Sequence, residues 1–131
     1  MRLPPARATA TLAALTVVAW AAVAASGHAE QVQILGAFIP ARASGLFALE
    51  GAVPVALTPV SALFLHQGVL HLAFNLLMLG FCGRYVEVAL GWRGVLILYL
   101  VGAYAAAAGQ YALGPLPVSY THLTLPTILR V

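Results

Sequence analysis

Lysine and aspartate are absent from these 131 residues, and the charged side chains that remain, six Arg and three Glu, make up only 7% of the chain. A soluble domain usually carries about a quarter. With 63% hydrophobic residues and a mean hydropathy of +0.99, a water-soluble globule is excluded. The net charge of +3 is spread too thinly to build a nucleic-acid face, so no nucleic-acid partner is expected. Cysteine is scarce as well. Cys82 stands alone, which excludes a disulfide framework and any Cys-based zinc centre, because such a centre needs clustered ligands.

What the sequence has instead is long uncharged runs. A helix needs roughly 20 apolar residues to cross a bilayer. The arrangement predicts an all-α membrane protein with three transmembrane helices at about 8–27, 68–85 and 94–113, and an external loop over 28–67. Arg2 and Arg7, with Ala22-Val23-Ala24 near the end of the first run, also fit a secretory signal with a small-residue cleavage site, although signal cores are usually shorter, about 7–15 residues. Pro54 and Pro59 divide the long run between Glu50 and Arg84, and Thr58-Pro59 reads as an N-cap and first-turn proline opening a short helix in the membrane interface. Arg2, Arg7, Arg84 and Arg93 belong on the cytoplasmic side, which places the N-terminus inside and the 28–67 loop outside. That loop carries Ile34, Leu35, Phe38, Ile39, Leu46 and Phe47, too greasy for a free linker, and is expected to pack against the membrane surface.

Polar groups inside the second run carry the chemistry. His71 and Asn75 are four residues apart, one turn on one helix face, and act on one point. Polar side chains at this depth face a bundle interior or a water-filled cavity. Two uses fit them: interhelical hydrogen bonding, worth about 0.6 kcal/mol per bond, or donation to a developing oxyanion. A metal site is disfavoured, since His66, five residues before His71, falls on a different helical face and no carboxylate accompanies the pair. Gly102 with Ala106, and Ala105 with Gly109, give small-xxx-small spacing, which reads as either a tight helix contact or a merely alanine-rich stretch. Glu87 reads as a cap, as a partner of Arg84 or Arg93, or as a solvated interface charge.

The block Thr58-Pro59-Val60-Ser61-Ala62-Leu63-Phe64-Leu65-His66-Gln67-Gly68-Val69-Leu70-His71-Leu72-Ala73-Phe74-Asn75, followed by Gly83-Arg84-Tyr85-Val86-Glu87 and Leu90-Gly91-Trp92-Arg93, resembles the rhomboid intramembrane serine proteases. The shared features are an HxxxN pair opening a transmembrane helix, a GxxxE at its inner end, and a following helix with an early tyrosine, Tyr99. Phe38-Ile39-Pro40-Ala41-Arg42 is similar to the first external loop of bacterial members. The resemblance implies a six-helix core in which a serine opening the fourth helix attacks a peptide carbonyl and a histidine on the sixth is the base. His71 and Asn75 would then be catalytic by stabilising the oxyanion. It implies transmembrane protein substrates, a bacterial inner-membrane location, and neither cofactor nor metal.

Residues 1–117 read as a partial rhomboid domain, the first half of that bundle, because the serine motif and the later histidine are missing from the sequence. Ser119 and His122 are not taken as their replacement, since no span holds them against His71 and Asn75. The stretch Val118-Ser119-Tyr120-Thr121-His122-Leu123-Thr124-Leu125-Pro126-Thr127 is the translation of GTC TCT TAT ACA CAT CTG ACG CTG CCG ACG, which resembles a sequencing-library adapter, so 118–131 is expected to be a non-native tail. The leading expectation is a fragment of an intramembrane serine endopeptidase, inactive as it stands. The alternatives are a rhomboid-like pseudoprotease that binds membrane-protein clients, or an unrelated small multi-span membrane protein.

Overall fold

The computed structural model describes residues 4–113, and every regular element among them is helical. The order is α1 (Arg7–Ala25), α2 (Ala29–Gly36), α3 (Pro40–Ala43), a single 3₁₀ turn (Val55–Leu57), α4 (Thr58–Ala62), α5 (Val69–Met78), a π-helical turn (Leu79–Gly83) and α6 (Arg84–Leu113). Two helical runs are long and apolar enough to cross a membrane, Arg7–Ala25 and Val69–Leu113.

In α1, alanine-rich sequence favours the helix at every turn, and Ser26-Gly27 ends it, with Gly27 in the left-handed region at φ 73°. Its buried stripe is Thr9, Leu12 and Thr16, spaced as one helix face, whereas Leu15, Val17 and Val18 are exposed. Hydroxyls turned inward and branched aliphatics turned outward suit a helix whose surroundings are lipid.

Separate helices are expected at 68–85 and 94–113, and the structure has one 45-residue helical run broken at Gly91. Gly91 takes φ 75° and ψ 177°, a conformation that a side chain would strain, and there the chain turns back. Gly94 then lies so close to Leu90 that a Cβ on Gly94 would collide with the Leu90 Cβ. Beyond the turn, the Tyr104 hydroxyl donates to the Ala56 carbonyl at 2.7 Å, and Ser44 and Tyr111 share a hydroxyl contact of 3.1 Å. These bonds tie the end of α6 to the segment preceding α5.

That segment is folded rather than loose. Ile39, Pro40, Ala41 and Thr58 are buried, and Arg42 Nη2 donates to the Val53 carbonyl at 2.6 Å. Ser61 Oγ donates to the Gly36 carbonyl at 2.6 Å, joining α4 to α2. Of the apolar residues expected to meet the membrane surface, Ile39 is consumed by this internal packing, while Leu46 stays exposed. The short helix at Thr58 forms as the proline implied, but Thr58 does not cap it. Leu57 holds the cap position, and the Thr58 hydroxyl donates back to the Val55 carbonyl at 2.6 Å, because the preceding 3₁₀ turn presents that carbonyl first.

At the opposite end, α1 has no local side-chain cap. Glu87 supplies one from 78 residues away. Its Oε1 accepts from the Ala8 N–H at 2.9 Å, and its Oε2 from the Thr9 N–H at 2.9 Å and the Thr9 hydroxyl at 2.8 Å. Of the three roles open to Glu87, the cap is the one realised, and the helix it caps is remote in sequence. Gly83, one turn earlier, is what lets α1 approach: a Cβ there would stand 2.9 Å from Thr9 Cγ2. The GxxxE spacing thus joins a gap for a neighbouring helix to the group that caps it.

The small residues of α6 are used otherwise than their spacing suggests. Gly102 and Gly109 have nothing within 4 Å of where a Cβ would sit, and Ala105 and Ala106 are exposed. Ala103 and Ala107 are the buried pair. They too are four apart, but rotated onto the face that meets the rest of the protein.

Candidate active site

His71 is the third residue of α5 and Asn75 lies one turn later, both on the wall of a cavity of about 430 Å³. The wall is built from four stretches of chain: Thr16 of α1, Ala62 to His66 at and after α4, the α5 and π-helical face through Cys82 and Gly83, and Val95, Leu98 and Tyr99 beyond the Gly91 turn. The two residues singled out by their spacing therefore do face one space.

Asn75 Nδ2 donates to the His71 carbonyl at 2.8 Å, a bond back onto its own helix that fixes the carboxamide. A primary amide has two N–H donors, so one remains for a ligand in the cavity. Both side chains are exposed to the cavity space, not sealed among other residues. On the facing side, Thr16 and Tyr99 line the same cavity, which places the early tyrosine of α6 near α1.

His66 corrects the sequence reading. Five residues before His71 on a continuous helix, it would point elsewhere, but α5 begins only at Val69 and Gly68 is fully extended. The chain before Gly68 is released from helical register, and the two imidazoles meet with ring centroids 5.0 Å apart, tilted by 56°. His66 is only 8% exposed, and its buried Nδ1 has no hydrogen-bond partner. Its backbone carbonyl accepts from Gln33 Nε2 at 3.3 Å, which holds this turn against α2. Burial pushes the His66 imidazole below its ordinary pKa and the adjacent His71 pushes in the same direction, against the backbone of Phe64, which favours the charged form. His66 is thus the polar member of the site that periodicity missed. The signal available in the sequence was Gly68, which separates the two histidines.

Cys82 is free and exposed. Among the described residues, no group of three or more His, Cys, Asp or Glu side chains comes together. Ser119, His122 and the tail from 118 onward lie outside the described residues.

A family model described as Rhomboid domain matches residues 55–121, a stretch that includes α4, α5, the π-helical turn and all of α6. No curated protein and no solved structure matches the chain.

Proposed function

Since the chain belongs to the rhomboid family and is accordingly an integral membrane protein, we propose that it carries the oxyanion-stabilising half of an intramembrane serine endopeptidase. The observation that supports this reading most directly is the pair His71 and Asn75, one turn apart on one wall of a cavity otherwise lined mostly by apolar side chains. In an acyl-transfer reaction, negative charge develops on the carbonyl oxygen as a nucleophile attacks. Donors fixed beforehand in a site of low dielectric stabilise that charge without reorganising. Asn75 has one N–H anchored and one free, and the His71 imidazole supplies another donor.

The reaction also needs a nucleophile and a base, and His71 and Asn75 fill neither role. Its substrates in the complete protein are transmembrane segments of other proteins, presented from the bilayer. We read the chain as crossing the membrane three times, with the Gly91 turn as the cytoplasmic link between the second and third crossings and the N-terminus cytoplasmic, in a bacterial inner membrane. The arginines support this orientation: Arg7, Arg84 and Arg93 flank the Glu87 end of the helices, opposite the folded outer segment.

The test is made in the complete protein, reconstituted in liposomes with a transmembrane reporter. His71→Ala and Asn75→Ala should each slow cleavage about 10²–10³-fold, equivalent to ~2.7–4 kcal/mol of barrier. Melting temperatures should change far less, since an interhelical hydrogen bond in a membrane is worth only about 0.6 kcal/mol. Cleavage at the parental rate in both variants refutes the oxyanion role. A complete protein that binds such segments without cutting them refutes the protease reading and leaves a client-binding pseudoprotease.

A further inference from the structure

We propose that His66 and His71 form a binding site for a divalent transition-metal ion of the zinc, nickel or copper type at the head of α5. Geometry is the first support. An imidazole nitrogen binds zinc at about 2.0–2.1 Å, which puts the ring centre about 3.2 Å from the ion. Two rings with centroids 5.0 Å apart then subtend close to the tetrahedral angle at an ion between them. Burial is the second. His66 is 8% exposed and its Nδ1 is buried without a partner, so the ring has a polar atom unsatisfied by the protein. Such atoms are few in folded proteins and commonly belong to functional sites or to sites for an ion or water.

Space and chemistry are the third. The cavity of about 430 Å³ holds both histidines and the Asn75 carboxamide, and no carboxylate lines it. Imidazole without carboxylate selects zinc, nickel and copper over magnesium and calcium, which require oxygen ligands. With no third His, Cys, Asp or Glu assembled beside the pair among the described residues, the other coordination positions fall to water. The ion is therefore a reversible ligand, not a structural one. It would occupy the same imidazole that the proposed oxyanion role uses, so ion and substrate compete. Binding is read without any catalytic activity, and a failure of either reading leaves the other standing.

The experiment is isothermal titration of the full chain in detergent micelles with zinc chloride at neutral pH in a non-coordinating buffer, with magnesium chloride as the control. One zinc per chain is expected, and no heat from magnesium. Loss of a ligand's supporting contact alone typically weakens a metal 10–100-fold, so His66→Gln and His71→Gln should each lower the affinity about 10-fold or more. A chain carrying His28→Gln and His122→Gln should bind as the parent does. Zinc-dependent shifts of exactly two histidine ring signals in the unmutated chain, read by NMR, give the same answer independently of whether a variant folds. Absence of zinc binding, undiminished affinity in either single variant, or perturbation of the His28 or His122 ring in place of these two overturns the proposal.

Discussion

Glu87 does at the scale of one residue what no local sequence in α1 does. The first N–H groups of any helix lack intrahelical acceptors, and in lipid or at its edge water is a poor substitute. With Ala6 at the N-cap, α1 has no side chain of its own to offer, and the two carboxylate oxygens of Glu87 take the Ala8 and Thr9 N–H groups together with the Thr9 hydroxyl. Glu87→Ala should therefore lower the melting temperature of the chain in detergent, and Glu87→Gln should lower it less, because the amide keeps one oxygen acceptor. Thr9→Val, which removes one of the three bonds and keeps the side-chain shape, should have the smallest effect. Thermal melts followed by circular dichroism check the order; an unchanged melt for Glu87→Ala would remove the cap from the account of stability. His66 gives the complementary case, a polar residue whose burial depends on a backbone it does not control.

Among the elements, α6 separates what spacing predicts from what packing selects. Two pairs of small residues at four-residue intervals lie on one side of it, and a third pair, Ala103 and Ala107, on the side that is buried. Ala103→Leu forces extra volume into a packed contact and should destabilise the chain by about 1–3 kcal/mol. Gly102→Ala meets open space and removes a helix-weakening glycine, and should stabilise it by up to about 1 kcal/mol. Denaturant titration of both variants in the same detergent distinguishes them, and the opposite order would mean that the contact face has been misassigned. The π-helical turn at Leu79–Gly83 belongs to the same scale. It lies where Gly83 meets Thr9 and where Cys82 and Gly83 form the cavity wall, so the helix departs from regularity at the position that serves both α1 and the site.

For the molecule as a whole, the question is which end faces which compartment. The folded segment between α1 and α5 and the Gly91 turn stand at opposite ends of the helices, since Tyr104 and Tyr111 reach the former while Glu87 holds the start of α1 near the latter. In a Cys82→Ala background, single cysteines at Ser44 and Trp92, both exposed, should react with an impermeant thiol reagent from opposite sides of a sealed membrane, Ser44 from outside. Labelling of both positions from one side would refute the threefold crossing, and labelling of Trp92 from outside would reverse the orientation.

The sequence alone determined the helical class, the membrane environment and the pair His71 and Asn75. Each of these follows from composition or from spacing along a single helix, where 3.6 residues per turn converts sequence distance into a shared face. The start of α4 was legible for the same reason, because a proline is tolerated in a helix's first turn and poorly anywhere else in it. What spacing does not encode is contact between segments distant in the chain. Glu87 finds α1 across 78 residues, Tyr99 comes to line one cavity with Thr16, and His66 finds His71 only because Gly68 interrupts the helix that periodicity assumes. The same limit governs α6: its three small-residue pairs share one spacing, and which of them is buried is decided by how Gly91 turns the chain back, a backbone rotation that the residue's freedom permits but does not specify.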